Sequence, residues 1–159
     1  MPLKIRWSSK EYISIALLLL GGCGLFQVLF IAISQYLLGV GNYLIITIVP
    51  LGTVFALYFA SLMIYEAFAQ VERKDRIKRQ YAKSRSDSSK LKAILNNSIA
   101  RPLLINFAFF TTFFFTTFFI SLFFVDNQIS FLLAEIISGV LCLLIANYYE
   151  KNYAKVRRF

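Results

Sequence analysis

The chain has 159 residues, 58% of them hydrophobic, with a mean hydropathy of +0.67 and a formal charge of +9 from 17 Lys and Arg against 8 Asp and Glu. That is too apolar for a water-soluble domain, and the excess comes in blocks, so the composition indicates an integral membrane protein. There is no histidine, which excludes His-ligated haem, a His metal site and His general-base catalysis.

Four stretches read as membrane spans: about 12–38, 43–70, 103–125 and 129–149. Each meets the requirement of roughly 20 mostly apolar residues at 1.5 Å per residue. The first is too long for a signal peptide and has no small-x-small cleavage site, so it reads as a retained helix. The expected fold is therefore an all-α integral membrane protein of a single membrane domain, residues 1–159. Its four transmembrane helices form two hairpins, with a basic cytoplasmic helical loop, 71–101, between the second and third.

In the first span, "LLLLGGCGLFQVLF" places Gly21, Gly22, Cys23, Gly24 and Gln27 near mid-helix. Each glycine weakens a helix interior by roughly 1 kcal/mol relative to alanine, and in lipid close approach of another helix offsets that cost. Close packing is the first expectation here; a ligand cleft opened by the missing side chains is the second. Cys23, Gln27 and Ser34 share one helix face. In the second span Gly52, Ala56 and Ala60 recur every four residues, just after Pro50. This small-xxx-small stripe is expected to pack, with a bend at the proline.

The segment 71–101 carries ten basic and three acidic residues, a formal +7. "VERKDRIKRQYAK" continues the second helix into the cytoplasm, with Glu72→Arg76 and Asp75→Arg79 at i,i+4 spacing. "KLKAILNNSIARP" reads as a short interfacial helix ahead of Pro102. Lys83, Arg85, Lys90 and Lys92 are expected to contact anionic lipid headgroups. One tyrosine among the basic residues is a poor stacking platform, so nucleic acid is not the expected partner.

The third span, "NFAFFTTFFFTTFFISLFF", is dominated by phenylalanine. Its threonines can bond back to the preceding turn and need not mark a pore. The aromatic rings form either a lipid-facing wall, a subunit interface or a surface for a lipid, isoprenoid or pigment. No cofactor is predicted. In the fourth span Glu135, Ser138, Cys142 and Ala146 follow i, i+3, i+7 and i+11. An intramembrane carboxylate on a small-residue stripe is a functional candidate, because burying its charge is costly. Its structural reading is a hydrogen bond to Gln27, Thr47 or the outer turn. The two cysteines lie within spans and read as small apolar packing residues.

All 17 basic residues lie before the first span, between the second and third, or after the fourth. The positive-inside rule then places both termini and the loop in the cytoplasm, in a bacterial inner membrane or its equivalent. No Ser/His/Asp group, P-loop or cysteine cluster points to catalysis or a metal. The expected role is non-enzymatic: a structural or assembly subunit of a larger membrane complex, or a self-associating scaffold, partnered by lipids and by other subunits or itself. The alternative is a small transporter or flippase of a lipid-linked sugar.

In length and four-span plan the chain resembles the GtrA family, which is implicated in moving polyprenyl-phosphate-linked sugars. "LLLLGG" in the first span and "LLAEIISGVLCLLIANYYEKNY" at the end carry the likeness. The Asn-Arg-x-Trp-x-Phe type ending expected of that family is absent, where "IYEAFAQVERK" and "ANYYEKNYAKV" stand. The resemblance therefore implies a topology and a transport class and transfers no site residue.

Overall fold

The computed structural model describes the backbone of residues 10–79 and 100–156 and the side chains of 13–69 and 100–152. All regular structure there is helical: α1 Lys10–Tyr36, α2 Tyr43–Arg79, α3 Ala100–Ser121 and α4 Asn127–Val156. Ile13–Tyr36, Tyr43–Ala69, Ala100–Ser121 and Asn127–Asn152 are each long and apolar enough to cross a membrane. The protein is thus a multi-pass membrane protein, with four such helices among the described residues. The 37 residues of α2 run about 55 Å, well beyond a hydrocarbon core of about 30 Å. The contacts expected of Lys83, Arg85, Lys90 and Lys92 lie outside the described residues.

The helix ends follow local chemistry. After α1, Gly39 takes φ 64°, the left-handed region that a side chain disfavours. Asn42 caps α2: its Oδ1 accepts from the Leu44 N–H at 3.1 Å and its carbonyl from Ile46 at 3.1 Å, as an N-cap residue does. The third span is shifted from its expected 103–125. Pro102 lies in the first turn of α3, where no N–H is needed, and the chain leaves the helix after Ser121, where the N–H groups of Phe124 and Val125 both turn to the Ser121 carbonyl. Phe123 and Phe124 are left exposed on that turn. Asn127 Nδ2 donates to the Leu38 carbonyl at 3.3 Å, tying this turn to the one between α1 and α2.

α2 touches each of the other three helices, most extensively α4, and α4 also packs along α3. α1 lies on α2 and meets α3 only lightly through the backbone. The reason is side-chain size. Asn106, Phe110, Phe114 and Phe118, each four residues after the last, form the buried row of α3. Phe26 stacks on Phe107 at 4.0 Å between ring centroids, and Phe30 meets Phe110 and Phe114 edge-on at 5.1 and 4.8 Å. Phe131 of α4 reaches Phe114 edge-on at 5.8 Å. Rings this large hold α1 and α3 apart, and edge-to-face pairs add about 0.5–1.5 kcal/mol each beyond burial.

The phenylalanine-rich third span is therefore not simply an outer wall: one row of it fills the core, while Phe119 faces outward. Thr111, Thr112 and Thr116 donate to the carbonyls of Phe107, Ala108 and Thr112 at 2.7–2.8 Å. They satisfy themselves within α3 and line no polar path. The opposite contact is built from small groups. A Cβ on Gly139 would lie 3.6 Å from Ala56 Cβ and 3.7 Å from Thr53 Cγ2, so α4 meets α2 closely there.

Candidate functional site: two buried polar nodes and a groove

The close α2–α4 contact positions the first node. One turn before Gly139, the Glu135 carboxyl is fully buried and its Oε2 lies 2.9 Å from Thr53 Oγ1. Thr53 Oγ1 is also 2.9 Å from the Pro50 carbonyl. A hydroxyl has one proton. The acid form of Glu135 can donate to Thr53 while Thr53 donates to Pro50; the carboxylate instead competes with Pro50 for that proton. Gln27 of α1 stands beside the carboxyl and is 1% exposed. Yet Gln27 Nε2, Gln27 Oε1 and Glu135 Oε1 are all outside hydrogen-bond geometry with any group. Three unpaired atoms in one buried place are costly, because each is taken out of water without a replacement partner.

The second node joins all four helices. Asn106 Nδ2 of α3 donates to the Leu57 carbonyl at 2.9 Å and to Ser61 Oγ at 2.8 Å, both on α2. Ser61 Oγ lies 3.7 Å from Cys23 Sγ of α1, and Cys142 Sγ of α4 lies 3.9 Å from the Asn106 carbonyl. Thr53 and Ser61, eight residues apart on α2, separate the two nodes by about 12 Å along that helix. The Ser138 hydroxyl bonds back to the Ala134 carbonyl and belongs to neither.

A groove of about 690 Å³ opens between α1 and α2 next to the first node. Gly21 and Gly24 line one side, Pro50, Leu51 and Val54 the other, and Gln27 is its buried polar residue. This corrects the expectation of close packing at the glycines. A Cβ on Gly21, Gly24 or Gly52 would meet nothing within 4 Å, and only Gly22 is close to a neighbour, 3.2 Å from Leu103 Cδ1. Along this seam the missing side chains make open space. Of the second-span stripe, Ala60 is buried, Ala56 meets α4 and Gly52 is exposed. The fourth-span stripe of Glu135, Ser138, Cys142 and Ala146 is buried throughout, as are Cys23, Gln27 and Ser34.

The expected neighbour of Glu135, Gln27, stands beside its carboxyl, with the amide outside strict hydrogen-bond geometry, and Thr47 lines the same groove as Gln27, its hydroxyl donating to the Tyr43 carbonyl at 2.8 Å. Thr53, Ser61, Asn106 and Gly139 were not singled out by sequence reasoning. A signal existed for two of them: Asn106 is the lone amide of its span, four residues from Pro102 and from Phe110, and Gly139 follows Ser138 on the small-residue stripe. Among the described residues no cluster of Cys, Asp and Glu side chains could hold a metal ion. Comparison of the chain with known protein families, with curated proteins and with solved structures finds no match.

Proposed function

We propose that the chain is a non-enzymatic membrane protein serving as a structural or assembly subunit of a larger membrane complex, or as a self-associating scaffold. The observation that carries this reading is the Asn106 node. Its polar atoms pair with one another across four helices, which makes a fixed frame of the bundle. The absence of histidine from the sequence supports the non-enzymatic part. The helices are arranged as two hairpins, with both termini and segment 71–101 cytoplasmic, in a bacterial inner membrane or its equivalent. The basis is the segregation of all 17 basic residues. Lys83, Arg85, Lys90 and Lys92 then face anionic lipid headgroups.

Purification of the full chain from its native membrane in a mild detergent tests the role. Stoichiometric co-purifying membrane subunits, or a defined homo-oligomer, are the expected result; a lone monomer refutes it. For the topology, single cysteines at the exposed positions Gly41 and Gln128 should react with an impermeant thiol reagent from outside, and one at Ser86 should not. The reverse pattern overturns the orientation.

A second reading, a small transporter or flippase of a polyprenyl-phosphate-linked sugar, draws support from Glu135, a fully buried intramembrane acid with one oxygen unpaired. Glu135→Gln separates the two. Normal assembly with lost complementation of a deletion strain favours transport; normal assembly with full complementation removes Glu135 from any mechanism.

A further inference from the structure

The Glu135 node holds more acceptors than protons, and the Thr53 hydroxyl is where the shortage falls. Thr53 Oγ1 lies 2.9 Å from Glu135 Oε2 and 2.9 Å from the Pro50 carbonyl, and it has one proton to give. Glu135 Oε1 is outside hydrogen-bond geometry with any group, so among the described residues Thr53 alone is bonded to the carboxyl. A proton on Oε2 makes Glu135 the donor and leaves the hydroxyl proton on the Pro50 carbonyl. Without that proton Oε2 is an anionic acceptor, which draws a hydrogen bond more strongly than a neutral carbonyl does. The hydroxyl proton then turns from Pro50 to Glu135.

The second acceptor matters because of its place in α2. Pro50 has no N–H for the Ile46 carbonyl, so the helix runs through Tyr43–Arg79 with that rung missing. Thr53 bonds back across the next turn, and such bonds bend helices. The hydroxyl thus acts on the turn that is weakest in its own ladder.

No charged group offers either form of Glu135 another partner. Gln27 faces the carboxyl from α1 and Thr53 from α2, both uncharged. α3 presents phenylalanine here: Phe114 meets Phe131, one turn before Glu135. On α4 and the turn before it, the nearest titratable groups are Asp126 and Cys142, about 14 and 11 Å away along the helix. Cys23 of α1 turns to Ser61. Tyr58 of α2 is five residues past Thr53, about 140° around the helix from it.

We propose that Glu135 and Thr53 form a proton-operated switch on α2. Protonated Glu135 sets the Thr53 hydroxyl on the Pro50 carbonyl; loss of the proton moves the hydroxyl to the carboxylate and frees the Pro50 turn. The switch rests on these three residues and stands apart from either role proposed above.

Infrared spectroscopy of the full chain in phosphatidylcholine vesicles, with carbon-13 at the proline carbonyls, tests it across a pH series. The label isolates Pro2, Pro50 and Pro102 from the rest of the backbone. As pH rises, the acid carbonyl band that Glu135→Gln removes should disappear. A labelled proline band should move to higher wavenumber with the same midpoint, as a carbonyl does on losing a hydrogen bond. In Thr53→Val the acid band should still disappear while the proline band stays fixed, and Thr53→Ser should restore the coupled shift. Glu135→Gln, whose amide N–H can donate to Thr53 at every pH, should hold the proline band at its low-wavenumber position. If Thr53→Val fails to fold, the comparison of the unaltered chain with Glu135→Gln decides. A proline band that stays fixed while the Glu135 acid band disappears overturns the proposal. So does a shift that persists in Thr53→Val or Glu135→Gln or is missing in Thr53→Ser, or an acid band that never changes across the pH range in which circular dichroism shows a folded bundle.

Discussion

Two buried amides sit in this bundle in opposite circumstances, and replacing each with leucine should have opposite effects on stability. Asn106 is 1% exposed and donates two hydrogen bonds, to the Leu57 carbonyl and Ser61 Oγ. Hydrogen bonds between helices in membranes average about 0.6 kcal/mol, with a maximum near 1.7. Asn106→Leu removes two of them and should cost about 1–3 kcal/mol. The lower end applies if the freed Ser61 hydroxyl bonds back to the Leu57 carbonyl four residues earlier, as serine in a helix can. Gln27 has the same burial and no hydrogen bond. Gln27→Leu removes an unpaired donor and an unpaired acceptor, so it should be neutral or stabilising by about 1–3 kcal/mol. The assay is reversible unfolding of delipidated protein in a denaturing-detergent titration followed by far-ultraviolet circular dichroism. Ser61→Ala added to each variant completes a double-mutant cycle. It should show coupling of about 0.6–1.7 kcal/mol with Asn106 and none with Gln27. A Gln27→Leu variant that loses more than about 1 kcal/mol, or an Asn106→Leu variant that loses nothing, would refute the hydrogen-bond assignment.

Phe30→Ala should cost about 3–5 kcal/mol, because it empties the ring seat between Phe110 and Phe114. Phe119→Ala, on the exposed side of the same aromatic helix, should cost under about 1 kcal/mol, and thermal unfolding in micelles compares the two. Gly24→Ala should stabilise by about 0.5–1 kcal/mol, since the new methyl meets nothing; Gly139→Leu, against Ala56 and Thr53, should destabilise by about 1–3 kcal/mol through overpacking. Replacing Lys83, Arg85, Lys90 and Lys92 with Gln in the full chain should shift its co-reconstitution away from anionic vesicles at low salt and leave it unchanged at high salt, where a Debye length of about 3 Å screens the attraction. An identical partition at both salt concentrations would refute the lipid contact.

The sequence by itself determined the four membrane-length helices of the described residues and roughly where they run. Membrane helices declare themselves by length and hydropathy, because a bilayer demands roughly 20 apolar residues with every backbone group bonded internally. Pro102 likewise marked a helix start, since the first turn of a helix needs no N–H there. The helical spacing of Cys23 with Gln27, and of Glu135 with Ser138 and Cys142, correctly placed both sets on buried faces. What spacing could not assign was the neighbour of each face. Gly21 and Gly24 look in the sequence like any small-residue contact, but the phenylalanines of α3 set the distance between α1 and α3, and the glycines front a groove. Glu135 was visible as a buried acid; its partner Thr53 lies 82 residues away in sequence and was hidden until Gly139 drew α4 onto α2. Asn106 stood in plain view in the third span, yet its role depends on Leu57 and Ser61 facing it across the bundle. Periodicity is a property of one helix, and lateral packing is a property of pairs; only the tertiary structure decides which small residue touches a helix and which leaves a space.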